Sequence, residues 1–241
     1  MRGRTGGKGG RSAVSGAAPR ISAATGDRFP GFDVLGQAGH WDPVTAGVVL
    51  ERTGRPPDIR FFTTAEEAAA TALCDRLLGQ DGHDQAIDGS GDQHTGEPKI
   101  EVVPQIDARL AERETDGWRY QDMPEDGQAW RDSLRFLDED SQAACDRPFA
   151  RASADDQRKL IQAVQDLGAK DWHGLNAAHV WSLWTRYACT AFYAHPSAWN
   201  EIGFPGPAYP RGYKHAGVDS REPFEVADAR PADDPVHGRD R

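Results

Sequence analysis

One stretch limits the possible architectures more than any other. From Ala177 to Ala194 the chain carries an apolar pattern that only a helix can use. With each residue advancing the helix by about 100° and Val180 taken as zero, Leu183, Trp184, Tyr187, Ala188, Ala191 and Phe192 fall between about 300° and 120°. Ser182, Thr185, Arg186 and Cys189 fall on the opposite arc. An apolar face half the circumference wide, with this many rings, needs neighbours on several sides and belongs to a central helix. Pro196 marks its end, because the residue before a proline is pushed out of the helical region.

The neighbours are legible too. Thr63 and Thr64 open a helix, with Glu66 and Glu67 placed to close a capping box, and Gly79 stops it after Leu78. Pro104 to Arg113 is a short helix with Ile106 and Leu110 on one face, the proline sitting in its first turn. Asp126 to about Ala144 carries Trp130, Leu134 and Leu137 as an i, i+4, i+7 stripe. Ser153 caps a helix to Leu167 whose apolar face is Leu160, Ile161, Val164 and Leu167. No stretch alternates with period two between hairpin turns. The fold class is therefore all-α: an irregular bundle of about five helices, with a long N-terminal arm and a Pro/Gly/aromatic-rich C-terminal strap.

Charge sets the domain limits. The chain has 241 residues, 38 Asp and Glu, 28 Lys and Arg, and a net charge of −10. Residues 1–28 hold six Lys or Arg against one Asp, a disordered basic tail of about +5 on a body of about −15. A single helical domain over 29–226 follows, with 29–60 an extended arm having at most short helices, 80–98 a flexible acidic loop and 192–213 the strap. Residues 227–241 read as a disordered polar tail. The acidic balance argues against nucleic acid and anionic membrane as partners. No run of 18 apolar residues occurs, so no membrane span is expected. The first residues contain neither the apolar core of a signal peptide nor an adjacent arginine pair, so the chain as written reads as cytoplasmic. Export would need a different start or a partner that carries the signal.

Catalytic and cofactor motifs are missing: no GxSxG, HExxH or CxxCH, and no GxGxxG after a strand. Cys74, Cys145 and Cys189 are odd in number and widely spaced, neither a disulfide framework nor a metal motif. His173 and His179 do not share one face of one helix. No catalytic, cofactor-binding or metal-binding residue is therefore assigned in this chain. The strap is the unusual segment. Residues 192–213 carry four Pro, three Gly and seven rings counting His195. Those rings bury either against the Trp181/Trp184/Tyr187 face or against a partner protein. Two other readings stay open: a stand-alone enzyme using the polar cluster of His195, Asn200, Glu201, Arg211 and Tyr213, and a binding module acting through the basic tail.

The stretch Trp181-Ser-Leu-Trp-Thr-Arg-Tyr-Ala-Cys-Thr-Ala-Phe-Tyr-Ala-His-Pro-Ser-Ala-Trp-Asn-Glu-Ile-Gly-Phe204, with Gly206-Pro-Ala-Tyr-Pro-Arg-Gly-Tyr213, resembles the gluconate 2-dehydrogenase subunit 3 family. Phe61-Phe62-Thr, Ile106-Asp107-Ala-Arg-Leu, Asp116-Gly-Trp-Arg-Tyr and Phe29-Pro-Gly-Phe-Asp extend the likeness over roughly residues 29–226. The resemblance implies a non-catalytic small subunit of a sugar or alcohol dehydrogenase complex. Its large partner would be a flavoprotein of the glucose–methanol–choline type holding FAD, often joined by a cytochrome c subunit. The implied partner interface is Trp184, Tyr187, Phe192, His195, Trp199, Asn200, Phe204, Tyr209, Arg211 and Tyr213. The chain departs from exported members in lacking their twin-arginine signal, and its loop 80–98 is longer and more polar than the family suggests.

Overall fold

The computed structural model describes residues 28–80, 99–215, 217 and 220–230. The expectations for 1–27, 81–98 and 231–241 lie outside the described residues.

Seven α-helices run α1 (Pro43–Glu51), α2 (Thr64–Leu78), α3 (Val103–Glu112), α4 (Asp126–Cys145), α5 (Ala154–Leu167), α6 (Ala177–Ala194) and α7 (Pro196–Ile202) among the described residues. The all-α expectation holds, and five of the helices stand where periodicity and capping place them. Their ends follow from local chemistry. Thr63 and Glu66 form a reciprocal capping box, and Gly79 takes the left-handed conformation that closes α2. Ser153 caps α5 through the amide of Asp156, and Asn176 caps α6 through that of Ala178.

Helix α6 is central, in contact with α2, α3, α4 and α5. Its wide apolar face is buried as the angular pattern requires: Val180, Trp184, Tyr187 and Ala188 are sealed in, while Cys189 on the far arc is exposed. Two ring pairs lock it to its neighbours. Trp130 meets Tyr187 edge-on at 5.9 Å, and Trp172 meets Trp184 edge-on at 5.6 Å. The Trp184 indole N–H donates to Ser133 Oγ (2.9 Å), which donates to the carbonyl of Trp130 (3.0 Å). The buried Trp184 indole keeps a hydrogen-bond partner in this way.

Two parts differ from expectation, and a third gives the arm, read as having at most short helices, a helix of its own. Residues 43–51 form a helix inside the arm. Asp42 caps it through Val44 and Pro43 occupies its first turn, but Val-Thr-Ala-Gly-Val-Val-Leu has no apolar period to announce it. A two-stranded hairpin pairs Asp171–Trp172 with Leu175–Asn176. Its His173-Gly174 turn has both residues at positive φ (52° and 88°), and strands of two residues are too short to show alternation. The strap, expected to be irregular, begins with the short helix α7. The limits of the expected loop and tails also shift. Gln80 is buried and exchanges two hydrogen bonds with the backbone of Ile100. Arg28 pairs with Asp228 at 2.6 Å, tying the start of the arm to residues beyond the strap.

The arm has its own small core. Val34, Trp41 and Val49 pack with Trp199 of α7, apart from the main cluster around α6. No helix among the described residues is long and apolar enough to cross a membrane.

Candidate partner interface

The site is assembled at the junction of α6 and α7. His195 serves both helices: its backbone N–H returns to the carbonyl of Phe192, and its Nδ1 accepts the amide of Ser197 at 3.2 Å. Acceptance requires that nitrogen to be unprotonated, and burial pushes the His195 pKa down, in the same direction. The turn sends the chain across the bundle end, where the arm meets it. Asn200 Oδ1 accepts the amide of Val34 at 2.8 Å. Trp199 donates its indole N–H to the carbonyl of Tyr193 at 2.7 Å.

Two glycines decide how close the arm comes. Gly203 and Gly206 have φ of +67° and +78°. A Cβ on Gly203 would lie 2.5 Å from the Phe29 ring, and one on Gly206 would lie 2.5 Å from Trp41 Cζ2. The left-handed backbone and the ring contact both require glycine. These residues lie far apart in sequence from the rings they admit, so only the repeated Gly in a Pro-rich strap hinted at a close approach.

The ten interface residues do not share one environment. Trp184 (0% exposed), Tyr187, Phe192 and Trp199 are buried within the chain itself, the first three beneath the bundle and the last under the arm. The expectation that they face a partner is corrected: a half-circumference helix face and a ring opposite the arm find partners inside the fold. His195 and Asn200 are taken up by the α6–α7 turn and by Val34. Phe204, Tyr209 and Tyr213 remain exposed, at 36%, 67% and 54%. Arg211 lies over the Phe224 ring at 3.8 Å and bonds Gln37 at 3.3 Å. Val44 and Val48, one turn apart on α1, add exposed apolar surface on the arm.

Two members of the polar cluster considered for an enzyme have structural roles. His195 serves as a cap, and Arg211 is turned to Gln37 and Phe224. A different network lies midway along α6. Arg186, from the arc opposite the apolar face, pairs with both Asp116 and Asp126, and Arg109 also pairs with Asp116 at 2.8 Å. The Arg109 hydrogen bond, aided by Arg186, holds the Asp116 carboxyl below the usual range. Tyr187 donates to Asp126 at 2.8 Å, and Arg186 covers the exposed Trp118 ring at 5.0 Å. The motif Asp116-Gly-Trp-Arg-Tyr was the sequence signal for this network. Trp118, Asp126 and Tyr187 of this network line a cleft of about 770 Å³, together with Arg113, Arg119 and Arg131. His173 bonds Asp140 and His179 bonds Asp122, each at 2.8 Å, and no group of three metal-ligating side chains forms among the described residues.

The family model described as Gluconate 2-dehydrogenase subunit 3 matches residues 64–206. The match runs from the first residue of α2 to the middle of the strap. No curated protein and no solved structure gave a significant match.

Proposed function

Since the chain belongs to the gluconate 2-dehydrogenase subunit 3 family, we propose that it is the accessory small subunit of a dehydrogenase complex, and that it binds and stabilises an FAD-dependent large subunit of the sugar or alcohol dehydrogenase type. The observation that carries this reading is the strap: a Pro- and Gly-fixed segment, clasped by the arm, with Phe204, Tyr209 and Tyr213 left open to solvent. Rings of this kind on a fixed backbone are the usual anchors of protein interfaces, because little ordering entropy remains to be lost on binding. A subunit that binds only the folded flavoprotein stabilises it by mass action. Redox chemistry belongs to the partner in this reading, and a cytochrome c subunit would accept its electrons.

Co-expression with the large subunit is expected to yield a yellow complex. Tyr209→Ala and Tyr213→Ala should each weaken it by about 2 kcal/mol, while leaving the melting temperature of the isolated chain within a degree or two, since both rings are exposed. Recovery of a purely monomeric chain, with no flavoprotein bound in any cognate lysate, would end this reading.

A further inference from the structure

Arg211 is the least satisfied cation of the arm–strap unit. Its guanidinium lies on Phe224 and one nitrogen reaches Gln37, but Nε and Nη2 are buried with no acceptor. No carboxylate among the described residues pairs with it. Beside it opens a cavity of about 680 Å³, walled by His40, Arg211, Lys214, His215 and Phe224. The acid in that wall, Glu222, is already engaged. It accepts the amides of Lys214 and His215 and bonds His215 Nδ1 at 2.9 Å. The His215 amide is the main cause that holds its carboxyl below the usual range, so it stays a charged acceptor for its own loop. The Lys214 side chain is exposed, Tyr213 meets the Phe224 ring of that wall at 6.2 Å, and Tyr209, two residues before Arg211, is exposed. A cationic pocket is conspicuous on a chain of net charge −10.

A guanidinium that is desolvated on a ring and left without acceptors costs stability until an anion meets it. A carboxylate is the anion that matches its fork, and Arg beside exposed tyrosines is a typical interface anchor. We propose that the protein partner seats an Asp or Glu side chain in this cavity, paired to Arg211 with Lys214 beside it. The inference rests on the reading of the strap as partner-facing and adds the chemistry of what the partner presents.

The test uses the full chain and the flavoprotein large subunit, with Kd measured across a salt series. Arg211→Gln should weaken binding about tenfold or more and flatten the dependence of log Kd on log salt. Arg211→Lys should fall between, keeping charge without the fork. Lys214→Gln, which touches neither Phe224 nor Gln37, should flatten the salt dependence with a loss of a few-fold, about 1 kcal/mol or less, so the test survives if Arg211→Gln unseats the strap. If Arg211→Gln and Lys214→Gln both bind with wild-type Kd and salt slope while Tyr209→Ala binds weakly, the carboxylate is overturned and the interface stands. If Tyr209→Ala also binds as wild type, the partner-facing strap falls with it. Inorganic phosphate that binds the isolated chain at Arg211, with complex formation untouched by Arg211→Gln, would make this a free-anion site and likewise overturn the proposal.

Discussion

Asp107 shows how much one side chain can hold. It is fully buried on α3, and its two oxygens accept the amides of Arg60 (2.7 Å), Phe61 (2.9 Å) and Phe62 (2.7 Å). Those three residues lead into α2, and Phe62 carries its ring to Trp130 at 6.0 Å. A carboxylate offers acceptors on both oxygens, whereas an amide turns an NH₂ group toward at least one donor. Asp107→Asn should therefore cost about 3 kcal/mol, read as a lower denaturant midpoint at unchanged slope. The sequence showed Asp107 only as a polar residue next to the Ile106/Leu110 face. Its burial depends on an approach by residues 45 to 47 positions earlier, which no local pattern contains.

At the scale of elements, the α6–α7 corner carries a pH signature. His195 must keep Nδ1 unprotonated to cap α7, and burial holds its pKa below the ordinary histidine value. The unfolded chain takes up this proton near about pH 6.5, the folded chain only lower. Its contribution is thus complete above about pH 6.5 and is lost as pH falls through the folded value. Thermal melts between about pH 7.5 and 5.5 should show a steeper decline in the wild type than in His195→Asn, which keeps a capping oxygen without a titrating ring. Equal slopes would remove His195 from the account. Pro196 signalled that α6 ends, and the chain does end there. That the same proline starts α7 was hidden, because Pro at a first helical position and Pro after a last one look alike in sequence.

For the whole molecule, two cores of unequal size imply two tiers of stability. The main cluster surrounds α6, whereas the arm and strap rest on Val34, Trp41, Val49 and Trp199. The smaller unit has less apolar area to lose and should open first. Gly206→Ala tests this directly. It forces a side chain into a left-handed backbone against Trp41, a strain of about 1–3 kcal/mol. Amide exchange should then quicken over residues 34–51 and 196–202 and stay unchanged in α4 and α6. Faster exchange throughout would mean a single cooperative unit. The sequence by itself determined the all-α class, five helices, the N-caps of α2 and α5, and α6 as the centre, because 3.6-residue periodicity and capping are local properties that survive without neighbours. It also marked the strap as a segment too rich in rings to lie idle. Only the tertiary structure decided which rings are spent inside the chain. Trp184 and Tyr209 look equally apt as anchors in sequence, but burial depends on what packs opposite. The arm covers Trp199, the bundle covers Trp184, and nothing in the described chain covers Tyr209.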